Sequence, residues 1–475
     1  MAKSSTTAPS VLPLSAQAPP ANSDSGAPLP VSEKIGYALG DAASNLFFQF
    51  FGIFLVFYYT DTLGLSAAAV GTMMLVTRIA DAVLDPMVGA MADRTRTRWG
   101  RFRPYLLWLA IPYGVTGVLM FMCPDWDSRR KLLFAYITYT LMMFIYSAIN
   151  VPYSALMGVM SSSSAERTRL SSYRFVAAFG AGSLISYLAL PMKNWLGQGN
   201  DKVGFLWTMG IFSVLSVICF CITFATTKER VQPMADEKVP MHKDAALLVR
   251  TLPWVMLFLA SVCNLVAYCV RAGAQMYYFK YVVGSEKLAS WFMVSSTLAA
   301  MAGIAFSPWI TARVGKRAAM MGLFGASAAC YASFFILPAN HFGLLISVNI
   351  LGALAFGPAG SIIWAMYADT ADYIEWKHGR RITGLVYAGV LFAIKMGIAL
   401  GGALLGWVLA GYGFKPNTVP SPETITGIKL VFSLLPAGLF VTIILLLCGY
   451  SLNERKVAEI EAALRGRRNQ AAGLP

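Results

Sequence analysis

Apolar positions along this chain follow neither the two-residue alternation of a half-buried strand nor the single stripe of an amphipathic surface helix. They form long, nearly unbroken runs between Ile35 and Tyr450. Runs longer than about 18 residues cross a hydrocarbon layer about 30 Å thick at 1.5 Å per residue. Twelve candidate spans follow, at 35–59, 66–92, 104–123, 131–158, 171–195, 203–226, 247–274, 288–312, 317–338, 341–368, 383–412 and 425–451. The pattern predicts an all-α polytopic membrane protein lodged in the lipid bilayer.

Polar stretches divide the runs. Residues 1–32 are rich in Ala, Pro and Ser, lack the features of a signal peptide, and read as a disordered cytoplasmic tail. The polar segment 227–246 separates a six-span bundle at 33–226 from another at 247–452, and a C-terminal tail covers 453–475. The halves look like repeats: Gly100-Arg101-Phe102-Arg103 after span two is answered by Gly315-Lys316-Arg317 after span eight, and the charges from Glu166 to Arg169 by those from Glu375 to Arg381. Two six-helix bundles related by an axis along the membrane normal form the major-facilitator plan, with substrate bound at mid-membrane between them.

Composition narrows the function. Of 475 residues, 57% are hydrophobic and 13% charged, against about 25% charged in soluble domains, which excludes an ordinary cytosolic enzyme. The net charge of +15 comes from basic residues in the short loops, 23 on the side of the N-terminus and 9 on the other. That asymmetry orients both termini to the cytoplasm of a plasma membrane, and it removes the nucleic-acid reading of a basic chain. Seven cysteines in or beside apolar spans, with no Cys-x-x-Cys pair, and three scattered histidines argue against a disulfide scaffold or a zinc site.

Charges inside the spans carry the chemistry, because each costs at least about 2.5–3.5 kcal/mol at bilayer depth and needs a partner or a task. Arg78, Asp81 and Asp85 share one face of span two. Counted from Asp93, Asp81 lies about 18 Å and Asp85 about 12 Å deep. Two carboxylates against one guanidinium leave a negative surplus that a coupling cation, sodium at Asp81 and Asp85 or a proton on one of them, would complete. Asp41 on span one and Asn150 on span four, beside Tyr146, Ser147 and Tyr153, offer hydrogen bonds and aromatic faces to a sugar. Lys395 lies about 21 Å in from Arg381 and needs an anion, either a span-two aspartate or a substrate carboxylate. Gly397, Gly401, Gly402 and Gly406 around it signal close helix packing. Arg174 and Arg271 lie nearer the ends of their spans, where structural and substrate roles are both open.

Tyr58-Tyr59-Thr60-Asp61, Arg78-Ile-Ala-Asp81-Ala-Val-Leu-Asp85-Pro86, Trp99-Gly100-Arg101-Phe102-Arg103-Pro104 and Ala368-Asp369-Thr-Ala-Asp372-Tyr373-Ile-Glu375-Trp376-Lys377 resemble the glycoside-pentoside-hexuronide:cation symporters. The resemblance covers about Ile35 to Tyr450. It implies a major-facilitator fold carrying a small sugar or glycoside with sodium, lithium or a proton, no other cofactor, and a functional monomer. It also implies cation ligation by Asp81, Asp85 and Ser147 and sugar contacts at Asp41 and Arg174; Asn150 stands where the family's model member has a sugar-binding aspartate, and Trp364 lies one turn from the position of its span-ten tryptophan. Lys395 matches the family's essential lysine, and Arg167, Arg169, Asp369, Asp372, Glu375 and Arg381 its inner gate. Leu84, Asn150, Ser154, Gly40 and Gly360 depart from the family's model member, so the ion and the sugar stay open. An uncoupled sugar or lipid carrier on the same fold is the alternative. A membrane prenyltransferase, suggested by Asp81-x-x-x-Asp85 and Asp369-x-x-Asp372, is disfavoured because one pair is buried and the other lies at the inner surface.

Overall fold

The computed structural model describes residues 28–122, 126–161, 164–230, 241–379 and 382–471. The expected disordered tail falls mostly outside these residues, as do Arg381 and the side chains of Asp85 and Arg167. Sixteen α-helices follow in order, with no named strand among the described residues. Among the described residues, nine helical segments are long and apolar enough to cross a membrane. Three more complete the twelve: α2 (Ala67–Arg94), some of whose side chains lie outside the described residues; α3 (Arg103–Trp108) with α4 (Ala110–Met120), interrupted at Leu109; and α11 (Lys316–Ser333), which opens on two basic residues.

The N-terminal half packs α1 (Val31–Phe50) against α6 (Ser164–Gly197) and α7 (Asp201–Thr226), and α2 against α5 (Ser128–Met160). The C-terminal half repeats the scheme with α9 (Leu252–Tyr277) against α13 (Thr383–Gly411) and α15 (Leu434–Cys448), and α10 (Lys287–Val314) against α12 (Phe342–His378). The halves meet along α2 and α13, along α6 and α10, and where α9 touches the end of α1. The first and last described residues, 28 and 471, lie at one face, called proximal here; the other is distal.

At the distal face α1 and α9 do not stop as α-helices. α1 continues through π-helical turns at Phe51–Leu55 and Tyr58–Thr62, and α9 through one at Tyr278–Val283. Each widened tip is held by an aromatic cluster of its own half. Phe50, Phe54 and Tyr58 sit against Phe121 and Phe205, and Tyr278 and Phe279 against Phe292, Phe334 and Phe432. Edge-to-face and stacked pairs of this kind add about 0.5–1.5 kcal/mol each beyond burial.

Two segments read as polar connectors or tail are helical. The end of 227–246 enters α8 (Met241–Arg250), and α16 (Glu454–Ala471) buries Val457, Ile460 and Leu464 against the C-terminal half. Their apolar residues are spaced for one helix face but are too few for a span, so neither could have been counted among the crossings.

Candidate functional site

The glycines of α13 face two ways, and that sets the site. Cβ atoms built on Gly397 and Gly401 would meet Leu265 and Cys269 of α9 at 2.5 and 2.7 Å. On Gly402 and Gly406 they would meet Met74 and the Ala67 carbonyl of α2 at 2.8 and 2.4 Å. The absent side chains let α13 approach both helices at once, and so bring Lys395 across to α2.

Lys395 Nζ donates to Asp81 Oδ2 at 3.1 Å and to Ser147 Oγ at 3.3 Å, while Ser147 Oγ donates to Asp81 Oδ1 at 2.5 Å. Arg78 Nη1 lies 4.0 Å from Asp81 Oδ2. The Asp81 side chain is 1% exposed, and both of its oxygens are engaged, one of them from the opposite half. The expected negative surplus is therefore not found at Asp81 itself, which faces two cations; the lysine for which the sequence left two partners open has taken this aspartate. Any surplus belongs to Asp85, whose side chain lies outside the described residues.

A second cluster lies wholly in the N-terminal half. Arg174 Nη2 of α6 donates to Asp41 Oδ1 of α1 at 3.1 Å, and its guanidinium lies 5.0 Å from the Tyr153 ring and 5.7 Å from that of Tyr37. Ser44 Oγ donates to Asn150 Oδ1 at 2.6 Å, and Asn150 Nδ2 to the Tyr146 carbonyl at 2.9 Å. Asp41, Asn150 and Arg174 keep partial access. Tyr153, expected to face a sugar, is instead fully buried: it stacks on Tyr37 at 4.8 Å, and each tyrosine hydroxyl donates to the other residue's carbonyl. It shapes the site by carrying Arg174. Tyr146 stands between the clusters, in the electrostatic field of Arg78, Asp41, Asp81 and Arg174. Trp364, 36% exposed, stacks on Tyr387 at 5.8 Å in the C-terminal half. Arg271 is enclosed by Tyr331, Phe432 and Phe334 and donates to the Phe432 carbonyl and to Asn349, a structural role.

The gate residues do not close across the halves in the described contacts. Arg169 pairs with Glu166 at 2.7 Å, and Asp369 with Lys316 at 2.7 Å, each within its own half. Asp372 and Glu375 lie part-buried on α12. Closure is found at the distal face, on residues given no role from sequence. Asp61 of the α1 tip binds Lys280 and Tyr281 of the α9 tip, and Asn417 Nδ2 donates to the Asp61 carbonyl at 2.6 Å. Thr60 and Tyr277 share a hydroxyl hydrogen bond at 2.6 Å, and Lys193 Nζ reaches Glu286 at 3.3 Å. The available signal was the position of Asp61 and Lys280 at corresponding ends of repeat-related spans.

Residues 36–454 match the model of the family described as MFS/sugar transport protein. The chain belongs to this family, that of the glycoside-pentoside-hexuronide:cation symporters. It is a multi-pass membrane transporter and not an enzyme. It is 36% identical to the putative glycoside/cation symporter YagG of Escherichia coli (strain K12), across 94% of this chain and 98% of that protein. It is 36% identical to the isoprimeverose transporter of Lactiplantibacillus pentosus, across 86% of each, and 31% identical to the glucuronide carrier protein homolog of Escherichia coli (strain K12), across 91% of this chain and 95% of the relative. Among solved structures, a bacterial homologue of the lysosomal transporter Spinster superposes with a TM-score of 0.65 at 12% identity, covering 90% of this chain and 97% of that one, which shows the shared fold.

Proposed function

We propose that the transporter couples the uphill movement of a glycoside to a cation, sodium, lithium or a proton, and that the cation competes with Lys395 for Asp81. The observation that carries this reading is the Lys395–Asp81–Ser147 triad, built from both halves at mid-membrane depth. A buried carboxylate pays for its desolvation only with close partners. Without bound cation the lysine is that partner; a cation arriving at Asp81 and Ser147, with Asp85 one turn along α2, replaces it. Releasing Lys395 removes a bond between the halves at the depth of the sugar site. Tyr146 and Asn150, adjacent on α5 to the cation ligand Ser147, transmit the change to Asp41 and Arg174, which take the sugar hydroxyls. A ligand shifts a conformational equilibrium only by its differential affinity for the two states, and this exchange supplies that difference.

Supporting the substrate class are the family, relatives described as glycoside/cation symporter and isoprimeverose transporter, and a donor- and acceptor-rich cluster beside aromatic rings. With both termini in the cytoplasm of a bacterial inner membrane, the distal contacts close the outer side, and the arrangement is inward-facing. Arg167, Arg169, Asp369, Asp372, Glu375 and Arg381 then make the closure of the opposite state.

The test is gradient-driven uptake in proteoliposomes, with Asp81→Asn and Lys395→Gln, for sodium, lithium and proton gradients in turn. Asp81→Asn is expected to lose accumulation while keeping sugar exchange. Lys395→Gln is expected to bind cation more tightly and to transport slowly. Full gradient-driven accumulation by Asp81→Asn overturns the coupling site, and uptake by the unaltered protein that ignores every ion gradient identifies an uncoupled carrier.

A further inference from the structure

The side chains that close the distal face stand on an uncommon backbone. Among the described residues, π-turns occur in three places, Phe51–Leu55, Tyr58–Thr62 and Tyr278–Val283, all in the distal tips of α1 and α9. Asp61 lies inside the second, and its partners Lys280 and Tyr281 lie inside the third. Thr60, also in the second, shares a hydrogen bond with the hydroxyl of Tyr277, the residue before the third. At the α1 tip the Leu63 N–H reaches the Tyr58 carbonyl at 3.0 Å, five residues back instead of the four of an α-helix.

π-Turns make up well under 1% of residues in globular proteins. The α-helix is the default for the same chain, so the wider form lasts where contacts from outside hold it. The outside contacts here cross between the halves: Asp61 with Lys280 and Tyr281, and Asn417 Nδ2 with the Asp61 carbonyl at 2.6 Å. Each turn of the α1 tip also contains a residue whose own side chain adds little. A Cβ built on Gly52 meets nothing within 4 Å, and the Thr62 hydroxyl is buried without a hydrogen-bond partner. The first turn sits where α1 and α9 approach without a side chain between them, since a Cβ on Gly273 would lie 3.6 Å from the Gly52 carbonyl. Everything beyond that crossing point, Asp61 included, is aimed by it.

Returning one π-turn to α-helix rotates the chain beyond it by about 100° and advances it by about 1.5 Å. A carboxylate about 5 Å from the helix axis then moves by about 8 Å, which parts Asp61 from Lys280 and Tyr281 in one step. Phe50 precedes the turns and keeps its place against Phe121 and Phe205, while Phe54 and Tyr58 turn with the tip. We infer that the distal face is latched by helical register: the π-turns aim the tips at each other, and on opening the α1 tip returns to α-helix and swings Asp61 out of the interface. This needs only that the face opens and closes, and rests on neither the cation nor the sugar assigned above.

The experiment deletes Gly52 from the full-length transporter in lipid nanodiscs, with spin labels at the exposed Ser66 and Lys287 on either side of the distal interface. Without the extra residue the first turn becomes α-helix while Val56 to Thr62 keep their positions, so the rotation is no longer available. The deletion alone is expected to keep the short distance. Combined with Asp61→Ala, it should leave an open population at least about threefold smaller than Asp61→Ala alone, because a return to α-helix no longer favours opening. Deletion of Thr62, which heals the second turn, should act in the same direction and decides if the Gly52 deletion does not fold. A double variant that opens as fully as Asp61→Ala overturns the inference. So does loss of the short distance in both deletions alone, or failure of both to fold, since the extra residues would then serve only to place Asp61 in a static tip.

Discussion

Among the described contacts, the two faces of the molecule are built from similar residues and bonded in opposite ways. At the distal face the strongest polar contacts cross between the halves: Asp61 to Lys280 and Tyr281, Asn417 to the Asp61 carbonyl, Lys193 to Glu286. At the proximal face the described ion pairs stay within one half: Lys34 with Glu166, Arg230 with Glu33, Lys316 with Asp369. Crossing bonds decide which side is shut, whereas internal bonds make each half move as one piece. The same economy of charge thus serves two mechanical tasks, and substitutions at the two faces should not be interchangeable.

The largest effect is expected at Asp61, whose side chain is 1% exposed. Removing Asp61 takes away the partner of both Lys280 and Tyr281, but Lys280 is 23% exposed and water replaces part of what it loses, so the cost falls below the about 3–5 kcal/mol of a fully buried pair. Asp61→Ala should therefore destabilise distal closure by about tenfold or more, read as loss of the short distance between spin labels on the α1 and α9 tips. The charge exchange of Asp61→Lys with Lys280→Asp should recover part of it. If Asp61→Ala leaves the distance distribution intact, the crossing node does not hold the face. Lys193→Met should act in the same direction but by only about 1 kcal/mol, because Glu286 and Asp201 are 24% and 42% exposed and water replaces much of what the lysine provides.

At the proximal face, Arg169→Ala provides the contrast. Arg169 is 63% exposed and its pair with Glu166 is internal, so distal closure should change by less than about 0.5 kcal/mol. A shift as large as that of Asp61→Ala would erase the distinction between the faces.

The crossings were legible because lipid leaves the backbone few choices, so length and apolarity almost specify the helix. The run at 66–92 was counted as a span on its apolar length, although Arg78, Asp81 and Asp85 lie within it. The mid-membrane groups were legible for the converse reason: Asp41, Asp81 and Lys395 stand out against an apolar background. Their pairing was not, since Lys395 and Asp81 are 314 positions apart, and only the two-faced glycines of α13 bring them together. Tyr153 and Tyr37 illustrate another limit, because an aromatic residue at the right depth can line a site or support one, and composition does not separate the cases. Asp61, noted only as part of a motif, and Lys280 were given no role because each sits at a span end, where charge is ordinary, and only their juxtaposition gives them meaning.

The smallest effect concerns Glu166 and sharpens the account of the proximal face. A hydrogen bond from Lys34, aided by the Leu29 backbone N–H, holds its carboxyl below the ordinary value of 4.5. A carboxylate whose folded value is depressed contributes stability that is present above the unfolded value and lost as pH falls through the folded one. The tether from residues 29 and 34 to α6 should therefore be intact above about pH 4.5 and weaken only below it. Thermal unfolding of Glu166→Gln against the unaltered protein is expected to differ modestly and constantly at neutral pH, with the difference closing as the solution is acidified below that point. Distal spin-label distances should stay the same throughout, since the bond braces one half and spans no interface. A pH-dependent change at the distal face in this variant would show that the proximal braces also report on which side is closed.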